Sequence, residues 1–352
     1  MVHLWLRAET RDNEERTGLT PEGAAQLRAA GLAVTVEESR QRALDIGGYA
    51  EAGCNIVPEA SWPQAPGDAI IFGLKELPED GTPLRHRHIL FGHAFKGQPA
   101  GQVLLRRFRA GGGALYDLEY LVDEAGRRVA AFGYWAGYAG AAVALKCWLA
   151  QQRGELCGPL SRYPSQGALL AELDAECAAL GAGRPDALII GALGRVGTGA
   201  ADLCAAMGMA VTGWDMAETA HGGPFPEVLE HAIFLNCILA RPGCPVFVPA
   251  SALAAPRALR VIGDIACDPT SEFSPVKVYD RVTSWQEPAL RVAEEPVLDV
   301  TAIDNLPSLL PAESSADFAA QLLPSLLALD RLDDGVWGRA RAEFDRHMAD
   351  LA

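Results

Sequence analysis

The chain has 352 residues, enough for two hydrophobic cores rather than one, because single cores stop growing well before ~300 residues. Its 45 Asp and Glu against 30 Lys and Arg leave a formal net charge of −15. That balance argues against nucleic acid or an anionic membrane as a partner, since each needs a basic surface, but it leaves room for a small anionic substrate met by a few cations in a cleft.

The N-terminus reaches charge at Arg7 and Glu9, too soon for a signal peptide, and Val2–Leu6 reads as a first strand. Thr20 and Pro21 open a helix that runs to Ala30 and closes at Gly31, and Leu32–Val36 is the next strand. Asp68–Leu74 and His88–Gly92 read as buried strands, and Gln102–Arg109 as an amphipathic helix ended by Gly111–Gly113. Arg128–Ala150 is long and apolar on every side; such a helix is buried, so it is expected to pass through the middle of the molecule and link two lobes. A second parallel set is expected at Asp186–Ile190, Ala210–Trp214, Ala232–Asn236 and Leu259–Asp264. Phe318–Leu329, kinked or restarted at Pro324, and Val336–Leu351 are amphipathic helices expected to return to the first lobe. The expected fold class is α/β, two Rossmann-like domains with parallel-rich sheets and an interdomain cleft. The first domain is expected to span 1–132 plus 312–352 and the second 133–311. The 8 cysteines are scattered without a CxxC pair. With no uncharged apolar run of ~18 residues, a reduced, cytoplasmic protein without a membrane span is expected, acting as a monomer.

Ala187–Ile190 is followed by Gly191-Ala-Leu-Gly194-Arg195-Val196-Gly197 and then a helix expected from about Thr198 to Met207. A glycine-rich turn between a buried strand and a helix lets backbone approach a pyrophosphate, which the helix N-terminus attracts. The GxxGxxG spacing alone is a weak signal, and a tight turn with close helix packing also fits it. Asp215 ends the next strand, 18 residues after Gly197, where a carboxylate accepts ribose hydroxyls and repels a 2′-phosphate. NAD is therefore favoured over NADP. In the first lobe Lys75 and His93 follow buried strands at the edge where ligands bind in parallel sheets. A lysine near a second cation can act as a base near neutrality, and a histidine can carry the complementary proton. A snorkelling lysine and a satisfied histidine fit the spacing as well. Arg16, Arg127 and Arg128 suit a substrate with several carboxylates, because Arg binds carboxylates bidentately. His86-x-His88 lacks a third ligand, and neither G-x-S-x-G nor H-E-x-x-H occurs.

LRAET with Glu14, Arg16 and LTP, then GLKELPE, HILFGHAFKGQ, LYDLE, GRRVAAFGYWAGYAGAA, LIIGALGRVGTGA and IDNLPSLLP, together resemble the NAD-dependent, lysine-forming saccharopine dehydrogenases. The resemblance runs from about residue 3 to residue 347 and implies two Rossmann-like domains, the first completed by the C-terminal segment. It implies reversible oxidation of saccharopine by NAD to an imine, whose hydrolysis gives lysine and 2-oxoglutarate, with domain closure gating turnover. By the same resemblance Lys75 is the base at the secondary amine and His93 handles addition of water and collapse of the carbinolamine. Arg16, Gln98, Arg128 and Phe132, with Lys75, bind substrate, while Glu76 and Glu119 tune the lysine and the histidine. Arg127, Gly194, Arg195, Asp215, Thr219, Ile265, Ile303, Asp304, Asn305 and Leu306 bind NAD, and no metal is implied. Three departures fall in the nucleotide lobe: Leu239 where a Tyr is expected, Ala266-Cys267 where Ser-Ala is expected, and His221 in place of an Arg. Two other readings stay open, a related amine dehydrogenase of the alanine or opine type, and a catalytically silent NAD-binding protein.

Overall fold

In the computed structural model, which describes residues 1–181 and 183–351, contacts divide the chain into two units. The first comprises Met1–Ala131 and the segment from Pro311; the second is Phe132–Leu310. Each boundary lies one residue earlier than the sequence reading set it, because Phe132 caps one helix and Pro311 begins another.

In the first unit β1 (His3–Leu6), β2 (Ala33–Glu37), β3 (Asn55–Val57), β4 (Ile70–Phe72), β5 (Arg87–Leu90) and β6 (Ala114–Asp117) are all parallel, in the order β3-β2-β1-β4-β5-β6. Helices α1 (Pro21–Ala29), α2 (Ile46–Glu51) and α3 (Pro99–Gly111) connect them. The Thr20 side chain caps α1 by accepting the Gly23 N–H at 3.1 Å, and Gly31, at φ +90, ends the turn beyond it. The strands are short and apolar, with Leu4, Ile71, Phe72, Ile89 and Leu90 wholly buried, as a sheet covered on both faces requires.

The second unit opens with α4 (Gly133–Gln152). The helix expected from Arg128 starts five residues later. Asp123 Oδ1 accepts the N–H groups of Ala125 and Arg127, both at 2.9 Å, and holds that stretch in a turn closed by the Val122–Arg128 bridge. Helix α5 (Gln166–Leu180) leads to β7 (Ala187–Ile190), α6 (Arg195–Ala206), β8 (Val211–Trp214), α7 (Met216–Thr219), β9 (Ile233–Asn236), β10 (Val261–Asp264), β11 (Leu290–Glu294) and β12 (Val297–Thr301). The strand order is β11-β12-β10-β9-β7-β8, parallel except for the β11–β12 hairpin. A Cβ on Gly137 of α4 would strike the Val196 carbonyl, and one on Gly199 of α6 the Tyr134 carbonyl, so these glycines let the two helices touch backbone to backbone.

The C-terminal segment supplies α8 (Pro311–Leu326) and α9 (Gly335–Ala349) to the first unit. Helix α8 begins earlier than the sequence reading placed it and carries Pro324 in its last turn without restarting. Trp337 of α9 sits buried with its ring edge-on to Tyr116 of β6, centroids 5.9 Å apart. Among the described residues no helix is long and apolar enough to cross a membrane.

Candidate active site

Parallel sheets bind ligands at the carboxyl ends of their strands, where the strand order reverses. In the first unit that point lies at β1 and β4, and the residues leaving those two strands form one buried charged arrangement. Arg7 and Glu9 follow β1 and pair at 3.3 Å with side chains 1% and 7% exposed. Glu9 accepts the N–H of Leu74 at 2.6 Å and of Lys75 at 3.0 Å, while Arg7 donates to the Lys75 carbonyl. The backbone of Lys75 is thus clamped from both sides. A Cβ on Gly73 would run into the Arg7 guanidinium, so any side chain there would push that guanidinium from its place. Neither Arg7 nor Glu9 was singled out from the sequence as a site residue. Their signal was two charges directly after an apolar strand.

Arg16 is 3% exposed and Glu14 wholly buried, and they form a bidentate pair: Nε to Oε1 at 2.8 Å and Nη2 to Oε2 at 2.6 Å. Burial pushes the Glu14 carboxyl up, but the Arg16 guanidinium, with the charge of Lys75 adding to it, brings it below the ordinary value. Arg16 and Lys75 therefore belong to one electrostatic neighbourhood.

His93 follows β5 and holds a left-handed backbone, φ +47, which is uncommon outside glycine. Its Nδ1 lies 3.8 Å from Glu119 Oε2 and its Nε2 lies 3.7 Å from Glu76 Oε1. These are charge contacts, longer than hydrogen bonds. Lys96 holds the other Glu119 oxygen at 2.7 Å, and Arg11 stands 3.9 Å from Glu76. The Glu119 carboxylate raises the His93 pKa above its ordinary value, against an opposing push from burial, and Glu76 adds to the rise. Glu119 in turn is drawn down to about 2 by His93, with Lys96 helping against burial. Glu76, His93 and Gln98 line a concavity of about 180 Å³ together with Gly101 and Arg107. The structure thus brings Lys75, Glu76, His93, Gln98, Glu119 and Arg16 into the first unit at the carboxyl edge or just beyond it. Arg127 and Arg128 lie on the exposed hairpin after β6, Arg127 pairing with Asp123 at 2.9 Å. Phe132 caps α4 and so belongs to the second unit.

In the second unit the order reverses at β7 and β9. Gly191, at φ +90, leaves β7 by donating to the Trp214 carbonyl at 2.9 Å. Gly194 is the N-cap of α6 in extended conformation and carries no side chain to cap it, so α6 begins at Arg195, three residues earlier than the sequence reading set it. A Cβ on Gly197 would collide with the Gly191 carbonyl, which fixes the turn as a backbone-lined cradle at a helix N-terminus. Asp215 stands at the end of β8, its Oδ2 accepting the Leu193 N–H at 3.0 Å and its Oδ1 the Met216 N–H at 2.9 Å. Asp215, Thr219, Gly191, Ile238 and Leu239 line a pocket of about 480 Å³. Ile265 and Leu306 pack where a Cβ on Gly140 would fall, and Ile303 is buried beside them in the same core. Asn305, at φ +69, turns the chain after Asp304, with Nδ2 donating to Ser308 Oγ at 2.7 Å. An uncapped helix start, a glycine cradle and a pinned carboxylate over a roomy pocket fit a dinucleotide with a free ribose diol. Among the described residues no cluster of three or more His, Cys, Asp or Glu could hold a metal.

Known proteins resemble this chain over its whole length. The family model for the alanine dehydrogenase/PNT N-terminal domain matches residues 5–139. Saccharopine dehydrogenase (NAD(+), L-lysine-forming) of Candida albicans is 45% identical over 375 residues, covering 99% of this chain and 98% of that protein. The Schizosaccharomyces pombe protein of the same description is 44% identical over 364 residues, covering 99% of each chain. A solved L-alanine dehydrogenase superposes with a TM-score of 0.70 at 18% identity over 100% of both chains, a likeness of fold. The chain belongs to the NAD-dependent, L-lysine-forming saccharopine dehydrogenases.

Proposed function

We propose that the chain catalyses the reversible reaction of saccharopine, NAD⁺ and water to give L-lysine, 2-oxoglutarate, NADH and a proton. Membership of the family supports this reading over an alanine or opine dehydrogenase and over a silent NAD-binding protein. The observation that carries it is the placing of Lys75 and His93 at the carboxyl edge of the first sheet, the Lys75 backbone held by Glu9 and the His93 ring flanked by Glu76 and Glu119.

The first unit binds the amino-acid substrate and the second the dinucleotide. Gly194, Arg195, Asp215 and Thr219 would hold NAD, with Ile265 and the Ile303–Leu306 segment against it. When bound, NAD accepts the two electrons and the hydrogen released from the carbon bearing the secondary amine. The chain's own residues manage the protons. Lys75, clamped by Glu9 and Arg7, takes the proton from the secondary amine as the C–N bond becomes an imine. His93 then deprotonates the water that adds to the imine carbon and returns the proton to the departing lysine amine. Its raised pKa suits the second task, because the protonated form survives toward neutral pH. Arg16 and Arg128 receive substrate carboxylates, with Gln98 contacting the same substrate. A cytoplasmic monomer is the matching cellular reading; the free cysteines support a reducing compartment.

The test follows NADH absorbance with lysine plus 2-oxoglutarate, against alanine, ornithine and pyruvate as controls. Oxidation of NADH only with lysine plus 2-oxoglutarate is expected. Turnover with alanine or pyruvate alone, or none with any pair, would overturn the reading.

A further inference from the structure

Neither the family's acid–base pair nor its supporting glutamates account for Asp117. This carboxyl ends β6 and is wholly buried. Its two oxygens go to two different loops. Oδ2 accepts the Gly92 N–H at 3.2 Å, immediately before His93, and Oδ1 accepts the Glu119 N–H at 2.9 Å. The space around it is tight, since a Cβ on Gly92 would lie 2.7 Å from Leu115 Cδ2 and 3.2 Å from Asp117 Oδ2. His93 itself holds a left-handed backbone, which persists only where neighbours fix it. Glu119 Oε2, the oxygen facing His93, is buried and makes no hydrogen bond among the described residues, so its aim depends on the backbone that carries it.

We propose that Asp117 is a positioning residue for the reaction: one buried carboxylate ties the loop of His93 to the loop of Glu119 and so sets the imidazole against its carboxylate. The inference rests on the assignment of His93 to the reacting site. Asp117 acts in a second way through its charge. The groups that face it are His93 from the loop after β5 and Glu119 and Tyr120 from the turn after β6; Lys96 pairs with Glu119, and Glu76 with His93. Burial pushes its pKa up to about 6. Above that pH it adds negative charge behind His93 and favours the imidazolium, and below it that support is lost.

Asp117→Asn keeps the shape but leaves one acceptor, and sets an amide N–H against a backbone N–H. The His93 titration is read by NMR on the full chain with labelled imidazole, beside NADH affinity by fluorescence and steady-state turnover. The His93 pKa is expected to fall, the kinetic limb it controls to move to lower pH, and kcat to drop about 10- to 100-fold, with NADH affinity unchanged. If Asp117 merely stabilises the fold, melting shifts while the His93 pKa stays at the unaltered value, and the proposal falls. Should the variant not fold, aspartate carboxyl labelling of the unaltered protein decides. An Asp117 titration that is sensed at the His93 imidazole supports the proposal; one that leaves the His93 signal unmoved overturns it. The His93 measurement does not depend on turnover. Normal turnover in His93→Gln would separately sink the assignment of His93 and leave the Asp117 contact measurable.

Discussion

The clamp beneath Lys75 can be broken at one atom group and its cost worked out in advance. Replacing Arg7 by Met keeps the volume and removes the guanidinium. It leaves Glu9, 7% exposed, with its backbone donors at Leu74 and Lys75 but without the cation 3.3 Å away. Breaking a buried pair on one side costs about 3–5 kcal/mol, because the remaining charge is uncompensated. The Lys75 carbonyl also loses its donor. With two units, global unfolding need not be two-state, so the loss is best read locally, by hydrogen exchange at the Leu74 and Lys75 amides. Their protection should fall by the same about 3–5 kcal/mol. A double-mutant cycle with Glu9→Gln should show coupling of about 0.5–3 kcal/mol, the double variant costing less than the sum of the two singles. Turnover should drop as well, since Lys75 is no longer held. Unchanged amide protection in Arg7→Met, or an additive cycle, would refute the argument that the pair is one structural unit.

Lys75→Met should lower kcat by about 10²- to 10⁴-fold while NADH affinity, measured by fluorescence, stays close to that of the unaltered chain; normal turnover would remove Lys75 from its role. Asp215→Ala should weaken NADH binding and raise the ratio of NADPH to NADH affinity by at least about tenfold, because the carboxylate that repels a 2′-phosphate is gone; parallel titrations with both dinucleotides decide. The His93–Glu119 contact should make stability depend on pH in a defined window. Glu119 is lowered from 4.5 to about 2, so its contribution is present above about 4.5 and fades as pH falls through about 2. His93 is raised above 6.5, so its contribution is full below 6.5 and fades as pH rises through the raised value. The Tm difference between the unaltered chain and Glu119→Gln should therefore be largest near pH 5–6 and shrink in alkali; a difference that persists undiminished at high pH contradicts the pairing.

Elements with strong local signals were legible. The Thr20-Pro21 start and the Gly31 stop bracket α1 because capping is a property of a few adjacent residues. The apolar runs at 70–72, 187–190, 233–236 and 261–264 became strands within two residues of where the pattern put them. The start of α4 was misplaced because the Asp123 turn competes with the helix through side-chain bonds that composition does not display. The β11–β12 hairpin was missed because its edge strand is only half-buried and reads as polar. At the candidate site, Lys75 and His93 were visible as polar residues ending apolar strands. Asp117 ends β6 in the same way, and the same rule applied a third time would have found it. The Glu14–Arg16 pair gave no periodic signal, and its bidentate geometry comes from a loop that only tertiary burial fixes.

The two sheets have different strand orders, yet both place their chemistry where the order reverses. At β1 and β4 the loops carry Arg7, Glu9 and Lys75; at β7 and β9 they carry the Gly191–Gly197 turn and Ile238. Strands in both units are apolar and alike, so the loops alone distinguish an edge that carries paired charges from one that carries a glycine turn. This separates the departures that the sequence left undivided. His221 sets its ring edge-on to Phe225, centroids 4.8 Å apart, and does not line the 480 Å³ pocket. Leu239 lines that pocket and is 67% exposed there. Cys267, in left-handed conformation after β10, donates its thiol to the Ala302 carbonyl at 3.1 Å and so ties its loop to the chain just before Ile303. A Tyr at 239 would offer a ring face and a hydroxyl where Leu239 offers only an apolar surface open to water. Of these changes, Leu239 is the one that lines the pocket beside Asp215, while Cys267 bears on the placing of a loop and His221 packs against one ring.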